Sequence, residues 1–357
     1  MQTCQVLAID TEFQRTDTFY PQAGLLQISD GQNSYIIDPL TIDDYTPLEA
    51  VFTDAAIVKV LHAGSEDLLL FKRLLGTLPR PLFDSQIAAA LLGYGLSIGY
   101  SNLAKSLLGI ELEKGETRSD WLSRPLSAAQ IHYAVLDVVF LPKIYDLLQT
   151  QLQSMGRTLW LKEECERVQR EIDLFEDYED YYLKVKSAWK LNRCGLAILK
   201  ELCFWREKEA RKKDRPRNHI VKEVALWQIA HDKPTDITEL YKIEDMSQRA
   251  IRQYGELLLD VVSQTQRLHE DNHPPLLLKP LPASLGPQVQ ALKSAVRIIA
   301  ERMHIPAEML VRKKEYEEIV RSGIKAGLYQ LPDTMDCWRK QILAEEVITK
   351  LNLREPF

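Results

Sequence analysis

Strand-like patterning in this chain is confined to its first part, and that contrast limits the folds open to it. Residues 6–13, 24–29, 34–38 and 57–62 are rich in apolar and β-branched side chains and are separated by short polar turns such as Asp30-Gly31, so they read as strands. Residues 48–52, 66–75, 85–92, 101–108 and 128–148 carry helical spacing. Beyond residue 150 strand patterns nearly disappear. Segments 159–175 and 181–190 look helical, as do the stretches from Asn192 to Leu268 and from Gln288 to Leu353. The expectation is an α/β domain with a mixed central sheet, followed by all-α domains. Its layout is 1–154 for the α/β domain, 155–190 for a helical connector, 191–268 for one helical domain, 269–287 for a Pro-rich linker and 288–357 for a second helical domain.

The first strand carries a costly feature. In Leu7-Ala8-Ile9-Asp10-Thr11-Glu12-Phe13 two carboxylates stand two residues apart in a run that otherwise reads as buried. Side chains at i and i+2 of a strand share a face, so Asp10 and Glu12 project together. Like charges held that close repel unless a cation lies between them. An isolated Asp-x-Glu also occurs by chance at strand ends, so a metal site needs further acids.

Two more acidic elements follow. In Leu61-His62-Ala63-Gly64-Ser65-Glu66-Asp67 a strand ends at His62, a small-residue turn follows, and Asp67 opens a helix. An acid there is also explained by the helix dipole; Glu66 is expected to face solvent. In Ile131-His132-Tyr133-Ala134-Val135-Leu136-Asp137-Val138, an aspartate sits in an apolar run, which is costly without a partner. Tyr133 lies at i−4 from Asp137, on the same helical face.

Together these elements resemble the DEDD exonucleases, and the longer context resembles the ribonuclease D family. The matching segments are Asp10-Thr11-Glu12-Phe13, Tyr20-Pro21-Gln22, His62-Ala63-Gly64-Ser65-Glu66-Asp67, Arg118-Ser119-Asp120-Trp121-Leu122, Arg124-Pro125-Leu126 and Tyr133-x-x-x-Asp137. The resemblance spans essentially the whole chain, although only nine residues precede Asp10, fewer than that family usually has. It implies an RNase H-like exonuclease fold. It also implies Asp10, Glu12, Asp67 and Asp137 as ligands of two divalent cations, Mg²⁺ or Mn²⁺, the hard ions that all-oxygen sites favour. The third motif contains both His132 and Tyr133, which distinguish two branches of the family. On a continuous helix, i−5 lies about 140° from Asp137 and i−4 only about 40° away, so Tyr133 is expected to serve the site, with His132 a bystander.

The implied chemistry is hydrolysis at RNA 3′ ends with release of nucleoside 5′-monophosphates. Tyr133 would position the attacking water, since a free tyrosine, with a pKa of about 10, is a poor base. By the same analogy Thr11, Glu12 and Phe13 would touch the terminal nucleotide and His62 its phosphate or sugar. The implied substrates are tRNA precursors or other stable RNAs. Two alternatives remain at this point: a DNA 3′–5′ exonuclease of the same fold, and a catalytically silent nucleic-acid-binding protein.

Charge is distributed to suit such a role. Residues 1–150 hold 10 Lys+Arg against 18 Asp+Glu, whereas 151–357 hold 35 against 33. In 205–220 seven basic residues face three acids. That stretch resembles the start of an HRDC domain, a helical nucleic-acid-binding module, with Arg215-Pro216-Arg217-Asn218 its most specific part. A second, weaker copy begins near Gln288 and includes Arg312-Lys313-Lys314. Arg211, Lys212, Lys213, Arg215 and Arg217 are the expected phosphate contacts. Five scattered cysteines without C-x-x-C argue against a disulfide framework or zinc ribbon. No apolar run approaches a membrane span, and no G-x-x-x-x-G-K-[ST] loop supports ATP use. A soluble, cytoplasmic monomer without membrane or ATP partners is expected.

Overall fold

The computed structural model describes residues 4–112, 115, 119–333, 335 and 337–353. It divides into two compact units. One comprises Met1–Gln14, Ala23–Ile172 and Leu281–Phe357, the other Arg15–Gln22 and Asp173–Pro280.

The first unit is built on five strands: β1 (Val6–Gln14), β2 (Gln22–Ser29), β3 (Ser34–Ile37), β4 (Val58–Leu61) and β5 (Leu82–Asp84). Their order is β3-β2-β1-β4-β5. β2 and β3 form an antiparallel hairpin, with Leu26 opposite Ile37. β4 runs parallel to β1, with Val6 beside Val58 and Ala8 beside Val60, and β5 runs parallel to β4. The sheet is therefore mixed, as expected. β5 is absent from the sequence reading, because three residues are too few to show a period.

The pleat sorts β1 into two faces. Leu7 and Ile9 pack under Phe52 of α1 (Thr46–Thr53) and Phe71 of α2 (Ser65–Leu75). Ala8, on the other face, joins Val138, Leu141 and Ile144, from α5 (Ala128–Val139) and α6 (Leu141–Ser154). α3 (Ser85–Leu91) and α4 (Tyr100–Leu108) complete that side. The single helix expected over 128–148 is two. Phe140 closes α5, and Pro142 at the start of α6 has no N–H with which to continue the ladder. The break falls after Asp137, so Tyr133 and Asp137 stay on one helix.

α7 (Thr158–Asp173) follows. The 181–190 segment, expected as helix, forms two 3-10 turns at Tyr181–Lys184 and Ala188–Lys190. The second unit then contains α8 (Arg193–Lys213), α9 (Arg217–Ile220), α10 (Glu223–Asp232), α11 (Ile237–Leu240) and α12 (Gln248–Gln266) around one apolar core. The C-terminal helices belong to the first unit: α13 (Gly286–Met303), α14 (Ala307–Leu310), α15 (Lys313–Ala326), α16 (Cys337–Leu343), a π-helical turn (Ala344–Thr349) and α17 (Lys350–Leu353). Leu292, Val296 and Ile319 share an apolar cluster with Ala88, Leu148 and Leu161. Glu164 of α7, buried, accepts from Trp338 Nε1 at 3.1 Å and pairs with Arg339. No helix among the described residues is long and apolar enough to cross a membrane.

Candidate active site

Asp10 and Glu12 project from β1 on the α5 side of the sheet, and Asp137 meets them from α5. Oxygens of the three carboxylates all lie within 4.8 Å of one another. α5 is started by a reciprocal cap: Gln130 N donates to Ser127 Oγ at 3.1 Å, and Ser127 N donates to Gln130 Oε1 at 2.9 Å. Asp67, in the first turn of α2, is not one of the three carboxylates that meet within 4.8 Å. It is 8% exposed, accepts from the Thr11 hydroxyl, and raises the pKa of Asp10 by its charge. Glu66, next to it, is exposed.

The electrostatics are those of a bare anion cluster. Burial first, then the charges of Asp67, Asp137 and Glu12, hold the Asp10 carboxyl well above the usual carboxylate range. Burial and the same neighbours push Glu12 up to about 8. Burial raises Asp67 and Asp137 to about 6 each, partly offset by hydrogen bonds from Thr11 and Tyr133 respectively. Four acids that repel one another this strongly fit a cation-binding set, and the all-oxygen donors suit a hard divalent ion.

Tyr133 is half-buried one turn before Asp137 on α5, and burial, then the charges of Asp137 and Glu12, raise its phenol pKa. It stays protonated at neutral pH, so it can donate and orient but is not a free base. Trp121 packs against it with ring centroids 6.2 Å apart. Gly115 lies so close to the ring that a Cβ there would overlap Tyr133 Cδ2. His132 is exposed, in keeping with a bystander.

Two expected substrate contacts have other occupations. The Thr11 side chain is buried and its hydroxyl is spent on Asp67. The His62 ring is committed on both sides, Nδ1 to Ser85 Oγ at 2.9 Å and Nε2 to the Ile98 carbonyl at 3.0 Å. Burial lowers its pKa. Phe13 remains half-buried near the end of β1. Residues not anticipated from sequence support the acids instead. Asp84 accepts from Gly64 N at 2.9 Å and Ala63 N at 3.3 Å, and from Gln86 N and Ile87 N at 2.9 and 3.1 Å. It thereby fixes the turn, with Ala63 at φ 58°, that launches the Asp67 helix. Tyr100 donates to the Leu136 carbonyl at 3.1 Å, and burial, then the charges of Asp137 and Asp10, raise its pKa. Arg124 grips Asp38 through Nε and Nη2 at 2.7 Å each and the Gly24 carbonyl at 2.7 Å. That clamp explains the Arg124-Pro125-Leu126 motif as a loop anchor; Arg118 of the neighbouring motif lies outside the described residues.

The basic run of 211–217 also divides. Arg211 bonds Glu207 and the Phe175 carbonyl at 2.8 and 2.5 Å and stacks 4.3 Å from the Tyr178 ring centre. Arg217 is bidentate on Glu207, and Lys213 pairs with Glu209 at 2.7 Å and Tyr254 at 2.8 Å. Lys212 and Arg215 stay exposed. Arg215 lines a cavity of about 550 Å³ with Asn218, His219, Arg249 and Gln253.

Comparison with known proteins fits this geometry. Residues 1–153 match the 3′–5′ exonuclease family and 195–262 the HRDC domain. Ribonuclease D of Pseudomonas paraeruginosa is 43% identical over 345 residues, covering 97% of this chain and 92% of that one. This chain belongs to the ribonuclease D family. The Escherichia coli ribonuclease D is 37% identical over 342 residues, 95% of this chain and 91% of the other. The crystal structure of that enzyme, described as an exoribonuclease involved in structured RNA processing, superposes with a TM-score of 0.90 at 35% identity, over 100% of this chain and 95% of that one. Membership of the ribonuclease D family makes the protein a 3′–5′ exoribonuclease with a mixed-sheet exonuclease domain and an HRDC domain.

Proposed function

We propose that Asp10, Glu12, Asp67 and Asp137 hold two Mg²⁺ or Mn²⁺ ions and that the site hydrolyses the terminal phosphodiester of RNA, releasing nucleoside 5′-monophosphates. The observation that carries this reading is the meeting of the Asp10, Glu12 and Asp137 carboxylates within 4.8 Å, with Tyr133 near enough for the charges of Asp137 and Glu12 to raise its phenol pKa. Bound in such a set, a pair of divalent ions supplies an activated water and charge stabilisation for the departing 3′-oxygen. The chain's own groups do the rest. Asp10, Glu12, Asp67 and Asp137 set the position of that charge. The Tyr133 hydroxyl, protonated and on the Asp137 face of α5, orients the attacking water. Thr11 holds Asp67, and Asp84 holds the turn before it. Glu12 and Phe13, at the open end of β1, are the proposed neighbours of the terminal nucleotide. Silence as a nuclease is disfavoured because every one of these groups is present.

Structured or stable RNAs, such as tRNA precursors, are the proposed substrates, and the cytoplasm is the proposed compartment. Lys212 and Arg215 supply phosphate contacts from the HRDC domain. The helices α13–α15 are proposed as a second HRDC-like unit, on the strength of a repeated local geometry. α8 ends at left-handed Asp214, followed by Pro216, the four-residue α9, Val221 and the next helix. α13 ends at left-handed His304, followed by Pro306, the four-residue α14, Val311 and the next helix.

The test offers a 3′-labelled RNA and its DNA counterpart with Mg²⁺ or EDTA. Labelled mononucleotide released from RNA with Mg²⁺ alone is expected. Equal release from DNA would favour the DNA-exonuclease reading, and release in EDTA would sink the metal assignment.

A further inference from the structure

Within the unit formed by Arg15–Gln22 and Asp173–Pro280, a second cavity of about 520 Å³ is lined by Thr18, Tyr181, Arg206, Arg217, Asn218 and Glu223, among others. Arg206 is only 1% exposed, and its Nε and Nη2 have no hydrogen-bond partner, while Nη1 donates to the Val221 carbonyl at 3.3 Å. A guanidinium cannot shed its charge, and burying one with unmet donors is costly. The buried carboxylate next to it in sequence, Glu207, is already taken by Arg211 and Arg217. Glu223, the acid in the wall, accepts from Lys186 N at 3.2 Å. Arg15, whose Nε donates to the Phe19 carbonyl at 3.2 Å, and Thr16 also line the cavity. Its lining thus holds the guanidinium groups of Arg15, Arg206 and Arg217, the last already paired with Glu207, and the carboxylate of Glu223. The Arg206 and Arg217 guanidiniums lie 5.4 and 4.9 Å from the centre of the same Tyr181 ring. The Tyr181 ring offsets part of this positive charge, and an anion in the cavity would offset more of it. The loop carrying Thr16 and Thr18 is fixed, because Phe19 N and Tyr20 N both donate to Asp214 at 3.0 Å.

We propose that this cavity is a phosphate-binding site, separate from the acidic cluster, which takes a phosphodiester of the RNA being trimmed. Guanidinium forks match phosphate oxygens in charge and geometry. A backbone phosphate read this way adds hold on the RNA without base preference. Free phosphate or a mononucleotide presents the same chemistry, and a cavity of this size admits one.

The experiment uses the full chain in EDTA, so that the acidic cluster carries no metal. Melting temperature is followed against inorganic phosphate and AMP at constant ionic strength, and affinity is measured for a 3′-blocked oligoribonucleotide. The wild type is expected to gain stability with phosphate. Arg206→Met is expected to lose that response, to melt at or above the wild-type temperature without phosphate, and to bind the RNA about tenfold more weakly. Asn218→Ala, an exposed change that leaves folding intact, should weaken the response; Arg249→Gln, which lines only the neighbouring cavity, should not. Loss of the phosphate response with RNA affinity intact would assign the site to free phosphate or mononucleotide. A phosphate response unchanged in both Arg206→Met and Asn218→Ala, or removed by Arg249→Gln alone, overturns the proposal. Mononucleotide release with Mg²⁺ is a separate readout, so failure here leaves the catalytic reading standing.

Discussion

The Thr11 hydroxyl donates to the Asp67 carboxylate, joining the middle of β1 to the first turn of α2. Thr11 points to the face opposite Asp10 and Glu12, so the strand holds its own two acids on one side and steadies a third from the other. The bond lowers the Asp67 pKa against the pull of burial. Thr11→Val keeps the shape and removes the donor. It should weaken divalent-ion affinity by roughly 10- to 100-fold, the usual cost of losing a group that orients a ligand. Calorimetric Mn²⁺ titration checks this, and an unchanged affinity would make the bond incidental.

Tyr133 and His132 are adjacent in sequence but differently placed. Tyr133 is half-buried, with its phenol pKa raised by burial and by the charges of Asp137 and Glu12, whereas His132 is exposed. Tyr133→Phe should therefore slow hydrolysis by about 100-fold, within the range for a positioned proton-bearing group. His132→Ala should change the rate by less than about twofold, the range of an ordinary surface substitution. Single-turnover rates on a short RNA measure both, and the reverse order would assign water positioning to the histidine.

Asp137→Asn removes one carboxylate from the cluster while keeping its size. Mg²⁺-dependent trimming should fall by more than about 100-fold. RNA binding measured in EDTA should persist, because Lys212 and Arg215 lie in the other unit. Wild-type activity in this variant would remove Asp137 from the mechanism.

The acids were legible because the chemistry restricts their spacing. A same-face pair on a strand, an acid at a helix start and an i−4 tyrosine each leave a local signature, and the family resemblance ties them together. Their supports were not legible. Thr11 with Asp67, Asp84 with the Ala63–Gly64 turn, and Tyr100 with Leu136 all join residues far apart in sequence. Such pairings are set by tertiary packing and have no period. The same reason separates the basic run from its reading as a uniform phosphate surface. Glu207, fully buried, claims Arg211 and Arg217 from positions that composition alone counts as free. The break at Phe140 was available in Pro142, whereas the three-residue β5 had no pattern to give. Sharing of one core between 281–353 and the exonuclease helices is likewise a contact between distant apolar faces.

The raised carboxyl pKa values make a stability prediction with a definite sign. In the unfolded chain these groups titrate near 4. In the folded, metal-free protein Asp67 and Asp137 titrate at about 6 and Glu12 at about 8. Between those limits the native state binds more protons than the unfolded one, so stability falls as pH rises. The contribution is intact below about pH 4, is lost progressively as pH rises from there, and is gone above about pH 8. Glu12→Gln removes one titrating group. In EDTA its melting temperature should climb relative to the wild type as pH goes from 5 to 8.5, a difference that cancels titrations elsewhere in the chain. Mn²⁺ must displace the same protons to bind, so its stabilisation of the wild type should grow across that pH range and be smaller in the variant. Parallel melting curves for the two proteins at every pH would mean that Glu12 is not held in the protonated form by its neighbours.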